Sequence, residues 1–355
     1  MGRESSIEWT DATWNPSRGC SRVSKGCEHC YAESVARRFS GPGQPYEGLV
    51  RLDRDGKARA QWNGVVRMVP EHLADPLRWT RPRRVFVNSM SDIFHEALAD
   101  EDIDTIFAVM LLAPQHAFQV LTKRPERMRE YLSSPSLYER ILRAAEPLRA
   151  DRPELMSVAI SDQTRLPAPW IWLGVSVEDQ ATADERIPHL LACPAAVRFV
   201  SYEPALGPVD FHRPYRIAME EAAGYGLDPT LFRAASGGGL GVQWIIVGGE
   251  SGPGARPFDL AWARSAVTQC REAGVACFVK QLGAQPIAVP MEGPYPRTTA
   301  GGDTWPAQPI RLRDRKGGDM REWPEDLWVR DVPEVRPRAR IAEATESAPV
   351  EEPTS

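Results

Sequence analysis

The sequence predicts an α/β protein built as a complete or partial (β/α) barrel, with insertions and an irregular C-terminal extension. Three observations carry that expectation. Short apolar runs recur and most of them end in polar residues. Stretches with helical spacing fill several of the gaps. The chain is 355 residues long and 42% hydrophobic, which is ample for one large core.

Seven runs read as strands. They are I-E-W-T-D-A-T-W (7–14), R-V-F-V-N-S-M-S-D (84–92), F-Q-V-L-T-K-R (118–124), W-I-W-L-G-V-S-V-E (170–178), V-R-F-V-S-Y-E-P (197–204), W-I-I-V-G-G-E-S (244–251) and V-A-C-F-V-K-Q (275–281). Six are mostly apolar before their polar ends, as parallel strands covered on both faces require; the first is more polar. Helices are expected over 28–38, over 101–113 behind the acidic start Asp100, Glu101 and Asp102, over 179–192, and over 258–273. In the last of these, Leu260, Ala263, Val267 and Cys270 line one face. Such alternation implies right-handed crossovers.

Residues 40–69, 133–168 and 205–241 read as insertions rich in Gly, Pro or Arg. Residues 282–330 form the extension, which completes a single domain over 1–330. From 331 to 355 the chain is Pro, Glu, Ala, Arg and Ser with few large apolar residues, and the composition predicts a disordered tail. Within 311–330, Trp323, Leu327, Trp328 and Val329 beside Gly317–Gly318 mark an apolar terminal element.

The net charge of -5 excludes a global basic field of the kind that drives nonspecific nucleic-acid binding. Basic residues are lopsided, with 5 Lys against 38 Arg. No stretch approaches the ~18 apolar residues of a membrane span, and the opening residues lack a signal-peptide core. A cytoplasmic location is expected. The M-G-x-x-x-S start fits a myristoylation pattern, one short enough to arise by chance.

Of six cysteines, Cys20, Cys27 and Cys30 cluster, whereas Cys193, Cys270 and Cys277 are scattered. The segment N-P-S-R-G-C-S-R-V-S-K-G-C-E-H-C-Y-A-E has a C-x6-C-x2-C pattern between the first strand and the first helix. Thiolates are soft ligands for iron–sulfur clusters, zinc or copper(I). Gly19 and Gly26 suit a loop wrapped around a metal centre. A helix start adds a positive dipole end beside an anionic cluster. Three thiolates without a fourth leave one iron of a cubane open. The alternatives are zinc with His29 or His95 as fourth ligand, and an unligated loop. Cys270 and Cys277 have apolar neighbours and read as core residues. Trp9, Trp14 and Trp62 suit either base stacking or structure.

These residues carry a resemblance. The blocks I-E-W-T-D-A-T-W-N-P, G-C-S-R-V-S-K-G-C-E-H-C-Y-A, W-L-G-V-S-V-E, F-V-S-Y-E-P-A-L-G-P, I-I-V-G-G-E-S-G-P-G-A-R-P and F-V-K-Q-L-G resemble a phage-associated three-cysteine-motif family of unassigned function. That family is in turn similar to the radical S-adenosylmethionine (radical SAM) enzymes. Their usual pattern is C-x3-C-x2-C; this chain has six residues in the first gap. The resemblance implies a 4Fe-4S cluster on Cys20, Cys27 and Cys30, S-adenosyl-L-methionine as cofactor, and an electron donor as partner. It further implies a 5′-deoxyadenosyl radical that abstracts hydrogen from substrate. The phage association suggests nucleic acid or a nucleotide as that substrate.

In (β/α) barrels chemistry collects at the C-terminal ends of the strands. There the chain carries Asn88, Ser89, Ser91 and Asp92; Thr122, Lys123 and Arg124; Ser176 and Glu178; Ser201, Tyr202 and Glu203; Gly248, Gly249, Glu250 and Ser251; and Lys280 and Gln281. Lys123, Glu178, Tyr202, Glu203 and Lys280 are the catalytic candidates. Singly, any of them also reads as a turn or cap residue, Glu178 for the helix at 179 and Asp92 for its own connection. Radical SAM enzymes place a Gly-Gly-Glu-type motif after the second strand to bind the methionine amine. By position, Ser89, Ser91 and Asp92 fill that role here; by residue type, Gly248, Gly249 and Glu250 do. Ser176 joins them as a cofactor-binding candidate. Two other functions compete: a metal-dependent hydrolase using Asp92, Glu178, Glu203, Glu250 and His95, and a zinc-knuckle nucleic-acid-binding protein. Against the first stands the absence of H-x-H and H-E-x-x-H, and against the second the acidic charge.

Overall fold

A computed structural model describes residues 5–51, 60–152, 155, 166–224, 240–288 and 308–334. Each of the seven runs supplies one strand of a single sheet: β1 (Ala12–Trp14), β2 (Arg84–Val87), β3 (Ala117–Thr122), β4 (Ile171–Ser176), β5 (Val197–Tyr202), β6 (Trp244–Gly248) and β7 (Ala276–Gln281). Spatial order equals chain order, and every neighbouring pair is parallel. The sheet curls into a half-barrel surrounded by helices. All seven C-terminal strand ends therefore open on one mouth.

The helices of eight residues or more are α1 (Tyr31–Arg38), α2 (Asp100–Leu112), α3 (Pro125–Leu132), α4 (Leu137–Ala150), α5 (Gln180–Leu191), α6 (His212–Gly224) and α7 (Leu260–Ala273). The four expected ones form. Helices α4 and α6 correct the reading of 133–168 and 205–241 as insertions: both segments open on a crossover helix. Leu137, Ile141 and Ala145 bury a stripe along α4 at spacings of four, enough to hold the helix despite Pro147 inside it. Residues 52–59, 153–154, 156–165 and 225–239 of the three segments lie outside the described residues. Among the described residues, no helix is long and apolar enough to cross a membrane.

Strand alternation divides the core in two. Val85, Val87, Phe118, Val120, Leu173, Val175, Val200, Tyr202, Ile245, Val247, Cys277 and Val279 face the helices. The other parity lines the inside, where Trp9, Phe86, Trp172, Phe199, Trp244 and Phe278 fill the lower half. Trp9, Trp14 and Trp62 are all buried, so their role is packing. So is that of Cys270 and Cys277. Continuing upward on the inward parity come Lys123, Ser176 with Glu178, Ser201 with Glu203, Gly248 with Glu250, and Lys280. The half-barrel is an aromatic plug capped by charge.

The extension seals the open edge beyond β7. Residues 286–288 join Phe258–Asp259 and Gln308–Pro309 in a small sheet. The chain then returns so that Val279 N donates to Val329 O (2.8 Å) and Asp331 N to Cys277 O (2.8 Å). Asp331 O accepts from Trp244 Nε1 at 2.9 Å. Trp323 and Leu327 are buried, but Trp328 is 47% exposed, so only one of the two terminal tryptophans contributes a full burial. Contact also runs past the expected boundary at 330, through Asp331 to Val332, which packs on the aromatic cluster, while 335–355 lie outside the described residues. Burying an indole is worth about 5 kcal/mol on area bookkeeping. Truncation after Glu334 is expected to leave the melting temperature nearly unchanged. Truncation after Ile310 is expected to leave the protein insoluble or strongly destabilised, as thermal melts and soluble yield of both truncated proteins will show.

Candidate active site

The three clustered cysteines sit on the loop joining β1 to α1, and that loop lies across the mouth. Gly19 enters it at φ +97, so close to Val65 that a Cβ would stand 2.1 Å from the Val65 carbonyl oxygen. It also pairs with Ser91 beyond β2. All three thiols are free and half-buried. Burial pushes the Cys20 thiol up to about 12, with Asp92 adding to the shift and Arg124 opposing it. Burial also raises Cys30, partly offset by the Glu33 and Ala32 N–H groups at the start of α1, which form no full cap hydrogen bond. Ligation therefore requires the thiols to give up protons.

Four strand ends pin the loop. From the β3 end, Arg124 directs Nη1 at Cys20 Sγ (3.9 Å) and at Asp92 Oδ2 (3.2 Å). Its Nη2 donates to Ser21 Oγ (2.7 Å) and Ser21 O (3.3 Å). From the β4 end, Glu178 accepts from Ser24 Oγ at 3.0 Å. From the β6 end, Glu250 binds His29 Nδ1 at 2.9 Å. Arg256, on the segment after β6, reaches Lys25 O (2.9 Å) and Glu28 Oε2 (3.0 Å). From the β2 end, the Ser89 carbonyl accepts from Tyr31 OH at 2.7 Å. Gly26 works by size rather than by a positive φ: a Cβ there would clash with the Glu178 carboxylate.

The carboxylates that pin the loop are saturated. Asp92 accepts from Thr122 Oγ1 (2.8 and 2.9 Å), Lys123 N (3.0 Å), Phe94 N (3.0 Å) and Arg124. Its cap reading therefore holds. Glu178, 1% exposed, binds Lys123 Nζ and both of its oxygens meet Arg186 Nη1 (3.2 and 3.3 Å). Burial works to raise its pKa, but Lys123 and Arg186 outweigh that and hold it below its ordinary 4.5. Glu178 caps no helix. Asp179 caps α5, accepting from Thr182 N at 3.0 Å, and so leaves Glu178 to turn inward. Glu250 is held low in the same way, chiefly by hydrogen bonds from Arg256.

Glu203 differs. Its Oε2 accepts from Lys280 Nζ at 3.0 Å, while its buried Oε1 has no partner among the described residues. Gly248 makes this possible, because a Cβ there would stand 2.9 Å from Glu203 Oε1. Gly249 packs on Phe258 and the Leu282 carbonyl, with room for neither a Cβ nor a ligand on that side. Ser176 is buried beneath the mouth. Ser89 Oγ bonds Asn15 Oδ1 (3.2 Å), whereas Ser91 Oγ is buried with no partner among the described residues. Tyr202 leaves the set of catalytic candidates. It sits on the outward parity, stacks edge-on against Phe211 and gives its hydroxyl to the Gly207 carbonyl.

The hydrolase reading needs free carboxylates, and three of its four are consumed by Lys, Arg or backbone donors. His95 accepts from Ala97 N at Nδ1 (3.1 Å) and meets Ser21 Oγ at Nε2 (2.9 Å), and burial lowers its pKa. Of the two expected fourth zinc ligands, His95 therefore has both ring nitrogens engaged, whereas His29 is held by Glu250 through Nδ1. Among the described residues, no three His, Cys, Asp or Glu side chains meet closely enough to hold a single metal ion. Thiols are the donor type that an iron–sulfur cluster takes. The three thiols lie within electrostatic reach of one another, and a cubane takes one thiolate on each iron. Arg124, Ser21, Ser24, His29 and Arg256 were not singled out as loop contacts from sequence.

The family described as protein of unknown function (DUF5131) matches residues 4–328. None of the curated proteins compared matches. Among solved structures, a point mutant of spore photoproduct lyase is similar, with a TM-score of 0.34 and 12% identity over 70% of this chain. The chain spans 58% of that protein's length.

Proposed function

The chain belongs to the family described as protein of unknown function (DUF5131), and for this member we propose a radical SAM enzyme acting at the mouth of the half-barrel. One observation carries the reading: a loop of three free thiols is pinned over the C-terminal mouth of a parallel half-barrel by four strand ends. Cys20, Cys27 and Cys30 would hold a 4Fe-4S cluster. When bound, the cluster and S-adenosylmethionine supply one-electron chemistry for hydrogen abstraction, with an external electron donor.

The chain's own residues bind, orient and exclude water. Arg124 places a buried positive charge beside Cys20, which favours the thiolate and offsets the negative charge gathered by three sulfur ligands. The aromatic plug fills the lower half of the inward face and excludes water from it. The saturation of Asp92 and Glu250 makes both positioning residues for the loop, and neither retains an open oxygen for the cofactor amine. Among the cofactor-binding candidates, Ser91 Oγ, buried beside Gly19 with no partner among the described residues, keeps a group to offer the cofactor. The phage association and a nucleic-acid or nucleotide substrate remain part of the proposal.

Purification and reconstitution without oxygen, followed by metal analysis and a visible spectrum, test the reading. The expected product is brown and carries about four irons with matching sulfide. A colourless protein with stoichiometric zinc that resists reconstitution contradicts it.

A further inference from the structure

Of the four strand-end carboxylates at the mouth, Asp92, Glu178 and Glu250 are consumed by the chain itself, and among the described residues Glu203 is the one that keeps a buried oxygen open. A buried carboxylate oxygen without a donor is costly unless a ligand supplies one. The carboxylate is held in place, because Oε2 is fixed by Lys280 Nζ and the missing Cβ of Gly248 lets Glu203 reach across β6 to that lysine. Lys280 spends one of its three N–H donors on Glu203 and keeps others. Glu203 and Lys280 thus present an acceptor next to a donor, with side chains 16% and 18% exposed.

A flat apolar face accompanies them. Tyr31 is 55% exposed, yet its hydroxyl is tied to the Ser89 carbonyl, so the ring is fixed and its face is open. His29, two residues before Tyr31, binds Glu250 just beyond β6, and Gly248 at the end of that strand abuts Glu203, which places Tyr31 and Glu203 at one mouth. Two helical turns along α1, on the same side as Tyr31, Arg38 is exposed.

We propose that the mouth takes a nucleobase, stacked on Tyr31, with a base N–H donated to Glu203 Oε1 and a base carbonyl or ring nitrogen accepting from Lys280 Nζ. Stacking accommodates any planar base, and the paired acceptor and donor match an edge where an N–H adjoins a carbonyl or ring nitrogen. The proposal rests on the reading above only in taking the mouth as the working end. Arg38 favours a base carried on a strand, because it sits where a neighbouring phosphate would pass.

Fluorescence anisotropy with full-length protein tests it, using a short labelled oligodeoxycytidine and an abasic strand of equal phosphate count. Unlabelled deoxycytidine monophosphate serves as competitor. The base-bearing strand is expected to bind on the order of 10- to 100-fold tighter than the abasic one. Tyr31→Ala and the double variant Glu203→Met/Lys280→Met should each remove most of that difference. The double change replaces both partners with apolar groups of similar length and so leaves no unpaired charge. Competition by the monophosphate at strand-like concentration assigns the base to a free nucleotide, and weak competition assigns it to a strand. Equal binding of abasic and base-bearing strands overturns the proposal, as does full discrimination by either variant at wild-type melting temperature. Iron content separates the two readings: discrimination without iron retains this site and removes the radical reading, and iron without discrimination does the reverse.

Discussion

Cys27→Ala is expected to lose most of the iron that the reconstituted wild type holds and to bleach its visible absorption. Cys27 lies between two other ligand candidates on a short loop. Ser24 Oγ lies 3.9 Å from its sulfur, a hydroxyl too weak a ligand to replace a thiolate. The loop itself should survive, because Ser21, Ser24, His29 and the Lys25 carbonyl hold it rather than the sulfur. The variant should therefore melt close to the metal-free wild type. Parallel iron analysis and thermal melts separate these effects. Cys277→Ala serves as the control, since that thiol is buried outside the barrel, and it should keep its iron.

Glu178→Ala is expected to cost about 3–5 kcal/mol of stability, the range seen when one partner of a buried ion pair is removed. Two cations, Lys123 and the 2%-exposed Arg186, would lose their counter-charge, and Ser24 its acceptor. The same residue sets an acid limit. Its pKa lies below the ordinary 4.5 in the fold, so its stabilisation is fully present above that value. The contribution is lost as pH falls from 4.5 through the lowered folded value, because the unfolded chain takes up the proton first. Denaturant titrations across acidic pH should show a falling midpoint for the wild type and a shallower fall for Glu178→Gln. An unchanged slope in that variant would assign the acid sensitivity to other carboxylates.

Six of the seven strands were legible because each is a buried apolar run closed by polar residues, a pattern that parallel strands under helices impose. Helices α4 and α6 were harder to read. Arginine, proline and short apolar residues mask the Leu137–Ile141–Ala145 spacing, and its meaning depends on the sheet face it covers. At the site, the three cysteines were explicit in the sequence. Strand parity would also have separated Tyr202 from Glu203, since Phe199, Ser201 and Glu203 alternate on one face and Val200 and Tyr202 on the other. The loop's pins carried no comparable signal. Arg124 meets Ser21 across 103 residues, and His29 meets Glu250 across 221, pairings that only the closed sheet creates. That three strand-end carboxylates are spent on the chain, and one is not, follows from such contacts alone.

The most direct test of radical SAM chemistry at this mouth is the amount of 5′-deoxyadenosine formed when iron-loaded protein meets S-adenosylmethionine and a strong reductant without oxygen. Formation by the wild type, and its loss in Cys27→Ala, is the expected result, even without substrate. Wild-type protein carrying its full iron that leaves S-adenosylmethionine intact would contradict it.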